Sequence, residues 1–190
     1  ITSNVDLSGL EVETADDSNR AFILKIKLSA YLNNSRGSYD YVLIDCPPSL
    51  SLLTVMALVC SNSLLVPLQT EFFALEGLTQ LMKTIERIKV SLNPDLKIRG
   101  ILLTMYDTRL RLANQVVEEV RIHFEDLVLN TVIHRNTRLG EAPSYGESII
   151  IHDASCKGSV NYLNLAREIL QRNEMTKLRD DEKFLKDLVG

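Results

Sequence analysis

The chain has 190 residues, of which 45% are hydrophobic, and its formal net charge is −4 at pH 7. This size and composition predict one domain with a sizeable core, and the acidic balance excludes a globally basic nucleic-acid-binding protein, although a local basic cluster would suffice for one. The longest apolar stretch, around Leu52 to Cys60, is far too short to span a bilayer, and no signal peptide is visible at the start. Three scattered cysteines without metal-ligand spacing indicate a reducing compartment.

Strands and helices alternate along the chain, which is the pattern of crossover units on a parallel sheet. Helices are predicted at 20–34, 51–60, 73–92, 112–124 and 157–172, and strands at 41–45, 63–68, 98–105 and 128–133. Asn93 and Pro94 are expected to end the long third helix, and Ser155 to cap the last one. The sequence therefore predicts an α/β fold with a doubly wound, mostly parallel sheet and helices on both faces. Residues 1–172 form the predicted domain, and 173–190 a charged tail that is either a solvated helix or disordered.

The segment YDYVLIDCPPSLSLLT, residues 39 to 54, carries one carboxylate at the end of an apolar run. Val42, Leu43 and Ile44 are typical of a strand that is buried on both faces of a parallel sheet. The double proline after Cys46 forces the strand to stop and the chain to turn away. Asp45 is therefore expected where such sheets bind ligands. A loop residue or a helix cap is the alternative interpretation of this aspartate.

The same segment resembles the Walker B and switch II region of the ParA and MinD group of P-loop ATPases. Three later blocks resemble ParA-type partition ATPases in the same order: VPLQTEFFALEGLTQL, GILLTMYDTRLRLANQVVEEVR and TVIHRNTRLGEAPSYGESII. The resemblance runs from about Ile1 to about Arg172. It implies that the cofactors are ATP and Mg²⁺ and that Asp45 is a catalytic residue that holds the metal through water.

Proteins of this family carry a Gly-rich phosphate loop with an early lysine near their start. None of the eight glycines here precedes a Lys-Ser or Lys-Thr pair at the spacing of a phosphate loop. The chain also begins with Ile1 instead of methionine. We therefore interpret it as the C-terminal two-thirds of a ParA-like protein, and we expect the chain by itself to be inactive as an ATPase.

Two further loops follow the predicted strands that end at Met105 and Ile133, at the edge where open α/β sheets bind ligands. The resemblance implies that Met105, His134 and Asn136 flank the adenine. The family usually has proline at the position of His134, so a contact that relied on the proline ring does not carry over. A lone loop histidine is more often solvated than catalytic, and we interpret His134 as part of the pocket wall.

The same two loops contain four arginines, at positions 109, 111, 135 and 138. Arg109 and Arg138 match the positions at which ParA-like proteins bind DNA without sequence preference. Solvated surface charges are the alternative interpretation. Asp107 and Glu141, in the same loops, are expected to be caps or members of surface ion pairs.

The resemblance implies a cytoplasmic, nucleoid-associated, bacterial-type ATPase without a membrane partner. It would dimerise around ATP, bind DNA nonspecifically and drive chromosome or plasmid segregation with a ParB-type centromere-binding partner. One alternative is a MinD-like membrane-cycling ATPase, but that requires a basic amphipathic C-terminal helix, and the tail has no excess of bases over acids. The other alternative is a non-enzymatic scaffold that has lost its nucleotide chemistry.

Overall fold

The computed structural model describes Leu7, residues 9–34, residues 39–47 and the backbone of residues 51–189, with the side chains of the last helix through Glu174. The chain divides into two compact units. Unit 1 is drawn from Ile1–Leu64 and Thr79–Ile98, and unit 2 from Leu65–Leu78 and Arg99–Gly190. None of the helices in the described ranges is both long and apolar enough to pass through a lipid bilayer.

The described α-helices are α1 Leu10–Glu13, α2 Ile23–Asn34, α3 Leu52–Cys60, α4 Ala74–Ser91, α5 Arg111–Phe124, α6 Thr137–Glu141, α7 Ile149–His152 and α8 Lys157–Val189. The strands are β1 Ser63–Gln69, β2 Lys97–Tyr106 and β3 Val128–His134. Short 3-10 turns cover Arg20–Phe22, Glu125–Leu127 and Ala142–Tyr145. The predicted helices and strands from residue 51 onward are confirmed. The last helix continues through the predicted tail, so the helical alternative for that segment is the correct one.

The described strands form a sheet in the order β1-β2-β3, and β2 pairs with β3 in parallel. The middle strand is the most buried, because Gly100, Ile101, Leu102 and Leu103 are all shielded from solvent. A continuous apolar run of this kind is typical of a parallel strand covered on both faces. A parallel sheet surrounded by helices confirms the α/β fold class.

Two irregularities in the register shape the β2–β3 pair. Between the pairs Ile101–Val128 and Leu103–Val132, β3 advances by four residues while β2 advances by two. Between the pair Leu103–Val132 and the next pair, Tyr106–His134, β2 instead advances by three residues and β3 by two, so β2 has one extra residue there. Such bulges leave backbone groups without a ladder partner and bend the strand locally.

Unit 1 has a core formed by α3, α4 and the turn before β2, with the buried residues Leu58, Val59, Ile85, Ile88 and Leu96. The buried Asn93 lies just after α4, whose last residue is Ser91. Its Nδ2 donates hydrogen bonds of 2.8 Å to the carbonyl oxygens of Leu58 and Ser61. This side chain thus satisfies carbonyls at the C-terminal end of α3, and the prediction that α4 ends before Asn93 is confirmed.

Unit 2 has a second core in which α8 packs on β3, with the buried residues Leu102, Leu129, Ile133 and Leu165. Glu168 of α8 accepts hydrogen bonds of 2.8 Å from the backbone N–H groups of Asn130 and Thr131, which lie in the β3 bulge. Arg172 contacts Glu168 at 3.1 Å and donates to the Val128 carbonyl oxygen at 3.2 Å. Side chains of α8 therefore satisfy backbone groups that the bulge leaves without a ladder partner.

The predicted strand at 41–45 is wrong. Residues 41–47 have no regular secondary structure, and Leu43 is 93% exposed. A strand exists only through hydrogen bonds to a neighbouring strand, and in the described part of the chain nothing pairs with this segment. The expectation that Asp45 ends a buried strand therefore does not hold in this structure.

The predicted cap of the last helix is also wrong. Helix α8 begins at Lys157, which places Cys156 and not Ser155 at the position before it. The Cys156 sulfur lies 3.3 Å from the backbone nitrogen of Ser159 and accepts its N–H. Ser155 instead donates its hydroxyl to Asp153 Oδ1 at 2.9 Å. The local Asp-Ser hydrogen bond thus competes successfully with the expected cap.

Candidate functional site

Asp45 is exposed and lies in unit 1, in the segment 41–47 that has no regular secondary structure. The neighbouring Cys46 is exposed as well. Partial burial and the negative charge of Asp45 both raise the pKa of the Cys46 thiol, so it stays protonated at neutral pH. Since the thiolate is the nucleophilic form, Cys46 is not an activated nucleophile.

The carboxyl ends of the strands converge on one edge of the sheet in unit 2. The backbone N–H of Thr70, after β1, donates to the Thr104 carbonyl oxygen at 3.2 Å. On the other side of β2, the N–H of Arg135 donates to the Tyr106 carbonyl oxygen at 3.0 Å. The loops that follow β2 and β3 therefore leave the sheet side by side, at the edge where such sheets bind ligands.

Met105 adopts a left-handed backbone conformation with φ of 54°. It lies in the stretch where β2 gains one residue over β3, so the bulge accounts for the conformation. The left-handed region costs an L-residue about 1 to 2 kcal/mol. Strain of this kind persists only where the surroundings impose it, and it is concentrated at functional sites. The side chain is 44% exposed.

His134 is held by Asn161 of α8, a residue that the sequence analysis did not identify. Asn161 Oδ1 accepts the backbone N–H of His134 at 3.2 Å and lies 3.2 Å from His134 Nδ1. Because this oxygen is an acceptor, it can take a hydrogen bond from Nδ1 of the imidazole as well as from the backbone. The imidazole also lies against the ring of Tyr106, with centroids 5.5 Å apart.

Tyr106 fixes the loop between β2 and α5 through a second side chain that the sequence did not reveal. Its hydroxyl donates to Asn114 Oδ1 at 2.6 Å, and Asn114 Nδ2 donates to the Thr108 carbonyl oxygen at 3.1 Å. Asparagine on a predicted helix carries no signal of such a role, because the contact depends on tertiary structure. The loop that contains Arg109 is thereby anchored at both of its ends.

Asn136 caps α6, since its Oδ1 accepts the backbone N–H of Arg138 at 2.9 Å. Helix α6 lies against the first turn of α8, where a Cβ on Gly158 would come within 2.7 Å of Leu139 Cγ. Glycine at position 158 thus permits the close approach of the two helices. The structure therefore fixes the backbone of the second loop, which carries Asn136 and Arg138.

Arg109 forms a two-point ion pair with Asp107. Its Nε donates to Oδ1 at 2.9 Å and its Nη2 to Oδ2 at 2.6 Å. The hydrogen bonds and charge of Arg109 hold the pKa of the Asp107 carboxyl well below its usual range. Asp107 Oδ1 also accepts the backbone N–H of Arg109. Asp107 is thus both a turn cap and an ion-pair partner, as the sequence predicts.

Arg138 has two acidic neighbours. Its Nη1 donates to Glu141 Oε2 at 2.9 Å, and its Nε lies 3.8 Å from Asp153 Oδ2. The surface ion pair expected for Glu141 is confirmed. By contrast, Arg111 and Arg135 are exposed and, among the described residues, form no ion pair with a carboxylate. Arg109 and Arg138, at the predicted DNA positions, are thus paired with acidic side chains, whereas among the described residues Arg111 and Arg135 are not.

No group of three or more His, Cys, Asp or Glu side chains in the described part of the chain is arranged to hold a metal ion. Mg²⁺ is often held by only one or two carboxylates together with phosphates and water. The exposed carboxylate of Asp45 fits that mode.

A family model described as "AAA domain" matches residues 1–98. The chain is 53% identical over 172 residues to the chromosome partitioning protein ParA of Caulobacter vibrioides. This match covers 90% of the chain and 64% of the relative. The chain is 48% identical to the chromosome-partitioning ATPase Soj of Treponema pallidum, covering 91% of the chain and 67% of the relative. The chain therefore spans about two-thirds of the length of these relatives.

Among solved structures, the fold resembles cobyrinic acid a,c-diamide synthase from Mycobacterium smegmatis with bound ADP and magnesium. The TM-score is 0.73 at 32% identity, and the match covers 90% of this chain and 61% of that one. The cell division ATPase MinD from Pyrococcus furiosus has a TM-score of 0.60 at 22% identity, covering 80% and 58% of the two chains. The second match shows the fold alone.

Proposed function

The chain belongs to the ParA/Soj family of partitioning ATPases, and we propose that it acts with an N-terminal phosphate loop as an Mg-dependent ATPase that segregates DNA. The proposed cycle has an ATP-bound homodimer that binds DNA nonspecifically and a ParB-type partner that stimulates hydrolysis. The convergence of the β2 and β3 loops at one edge of the sheet carries this proposal, because these two loops contain both the residues proposed to contact the base and the two arginines proposed to contact DNA. The proposed setting is the nucleoid in a bacterial-type cytoplasm.

In this proposal Met105, His134 and Asn136 flank the adenine, and Asp45 holds water on the magnesium ion. Bound Mg-ATP supplies the phosphoryl group and the charge that activates it. The protein orients the bound nucleotide. Left-handed Met105 turns the backbone at the end of β2, while Asn161 holds both the backbone N–H and the imidazole of His134. His134 is therefore held in place as part of the pocket wall.

The DNA-binding part of the proposal assigns phosphate contacts to Arg109 and Arg138. Arginine presents several donors in one plane and binds phosphate oxygens in pairs. Phosphate contacts carry no sequence information and weaken with salt, as nonspecific binding requires. The two loops that carry these residues start side by side, which supports a single surface.

The scaffold remains the second candidate because the segment around Asp45 is exposed and forms no strand in this structure. A chain that worked only through a partner surface would not need that segment to be ordered. Activity of the protein with its phosphate loop separates the two candidates. We call "restored protein" this chain with the N-terminal segment of a ParA-type protein joined ahead of Ile1.

The first experiment compares ATP turnover. The 190-residue chain should show none, and the restored protein should be active. Asp45→Ala in the restored protein should lower turnover by about 10- to 100-fold and change nucleotide affinity little, because the carboxylate holds metal-bound water and not the base. Asp40→Ala, in the same exposed segment, is the matched control and should keep full turnover. Equal turnover of the Asp45 variant and its parent would place the metal site elsewhere.

The second experiment is a salt titration of DNA affinity with ATP present. Arg109→Glu and Arg138→Glu in the restored protein should weaken binding to unrelated sequences by similar factors. Each should flatten the slope of log affinity against log salt concentration by about 1. Arg121→Glu, near the C-terminal end of α5, changes the charge equally and is the control. Unchanged affinity and slope in both loop variants would show that the arginines are only solvated charges.

A further inference from the structure

We propose that Asp107 and Glu141 compete with DNA phosphate for the guanidinium groups of Arg109 and Arg138, and so set the DNA affinity of this surface below what its arginines alone would give. This inference rests on the proposed DNA-binding function. It adds a regulatory element within the same loops, in which an acid covers each arginine until a phosphate displaces it.

The pair in the first loop has the geometry of a phosphate complex. Arg109 presents Nε and Nη2 to the two carboxylate oxygens of Asp107, at 2.9 and 2.6 Å. This is the same two-point arrangement with which guanidinium binds phosphate oxygens. The arginine side chain is 85% exposed and the aspartate side chain 12% exposed. A phosphate can therefore approach the guanidinium from solvent, whereas Asp107 stays in the turn.

The acid in the first loop cannot simply move away with the arginine. Asp107 Oδ1 also accepts the backbone N–H of Arg109 at 3.1 Å, which fixes the carboxylate inside its own turn. The positive charge of Arg135 acts on the same carboxylate. When a DNA phosphate binds the Arg109 guanidinium, Asp107 therefore stays nearby, and its negative charge repels that phosphate.

The second loop repeats the arrangement with two acids. Glu141 holds Arg138 Nη1 at 2.9 Å, and Asp153 lies 3.8 Å from Nε. Asp153 is fixed by hydrogen bonds from the Ser155 hydroxyl and the Cys156 backbone N–H. The Glu141 side chain is 46% exposed and that of Asp153 31%, so replacing Glu141 tests the second loop without disturbing the turn at Asp153.

The test is a salt titration of DNA affinity in the restored protein with ATP. Asp107→Asn keeps the acceptor for the Arg109 N–H and removes the charge, and it should raise affinity by about two- to fivefold, the size of a surface ion pair. The salt slope should steepen by up to about 0.9. Glu141→Gln should also raise DNA affinity. The double variant should raise it by roughly the product of the two single fold-increases. Asp126→Asn, an equal charge change just before β3 at the opposite edge of the sheet, is the control.

A second background separates competition from a general loss of negative charge. In an Arg109→Ala protein, Asp107→Asn should give no more than the small effect of Asp126→Asn, because the arginine that it releases is absent. An equal gain in both backgrounds would overturn the inference, and so would an unchanged affinity of the single variant. If Arg109→Glu and Arg138→Glu leave DNA binding intact, the proposed function itself fails. The two failures are thus distinguishable.

Discussion

Two segments of this chain have nearly the same local pattern and different structures. Val42, Leu43 and Ile44 precede a polar residue in unit 1 and form no strand, and Val42 and Leu43 are exposed. Ile101, Leu102 and Leu103 also precede a polar residue, and they form the buried middle of β2 in unit 2. The difference lies in what surrounds them. β2 has β3 beside it and helices packed on the sheet, whereas in the described residues no strand pairs with the first segment.

The comparison shows that an apolar run specifies the capacity to form a strand and not the strand itself. A helix closes its hydrogen bonds within one segment, but each strand needs a partner that the local pattern cannot supply. A strand that ends at Asp45 would therefore need a partner strand from outside its own segment. The β2 and β3 loops already have their geometry within unit 2.

The largest expected effect is in hydrogen exchange of the 190-residue chain. The amides of Ile101 to Leu103 should exchange at least about 1,000-fold more slowly than those of Val42 to Ile44, because paired core strands open far less often than unpaired segments. Peptide-resolved exchange with mass spectrometry measures both segments in one sample. In the restored protein the protection of the first segment should rise toward that of β2. Similar protection of both segments in the chain by itself would show that the first is already paired.

Sequence patterns predicted the helices and strands after residue 51 because those elements are specified by local periodicity and by neighbours in the chain. The helix from Ala74 and the strand from Lys97 both begin within one residue of the predicted position. The missing strand at 41–45 and the cap of α8 were not predictable in the same way. One depends on pairing over a distance, and the other on a competition between neighbouring Asp, Ser and Cys side chains.

The two loops of the candidate site were predictable from the sequence, but the side chains and the backbone conformation that hold them in place were not. The ends of β2 and β3 identified the two loops, and Asp107 and Glu141 were expected to be caps or members of surface ion pairs. The role of Asn161 could not be predicted from local patterns, because this residue lies in α8, 27 residues after the His134 that it contacts. The left-handed Met105 is equally hidden, since methionine has no preference for that conformation and the bulge alone imposes it.

An intermediate effect is expected where α8 stabilises the irregular part of β3. Glu168→Ala removes the acceptors of the Asn130 and Thr131 N–H groups and a partner of Arg172. We expect a loss of about 2 kcal/mol in the free energy of unfolding, the cost of leaving such groups unpaired. Urea denaturation of the chain measures it. Asn164→Ala, on an exposed position of the same helix, is the control and should cost less than half as much.

Acid should reproduce part of the Glu168 effect. Burial raises the pKa of this carboxyl, but hydrogen bonds from Thr131 and Asn130 and the charge of Arg172 outweigh burial and leave the pKa below its ordinary value of 4.5. A depressed native pKa contributes stability above the unfolded pKa, and this stability is lost as the pH falls through the native pKa. The parent should therefore lose more stability than Glu168→Gln on acidification below pH 4.5. Parallel curves for the two proteins would contradict this assignment.

The smallest expected effect concerns Met105, where the ordered sheet of unit 2 imposes a strained conformation that an unpaired segment could not maintain. Met105→Gly removes a steric cost of about 1 to 2 kcal/mol and adds about 0.5 to 1 kcal/mol of backbone entropy in the unfolded state, so the variant should be more stable than the parent by up to about 1.5 kcal/mol. Met105→Val should be less stable, because a β-branched residue fits the left-handed region poorly. Thermal or urea denaturation of both variants measures the order glycine, methionine, valine. Equal stability of the three would mean that the bulge relaxes when the side chain changes, and that the strain at this strand end is not imposed by β3.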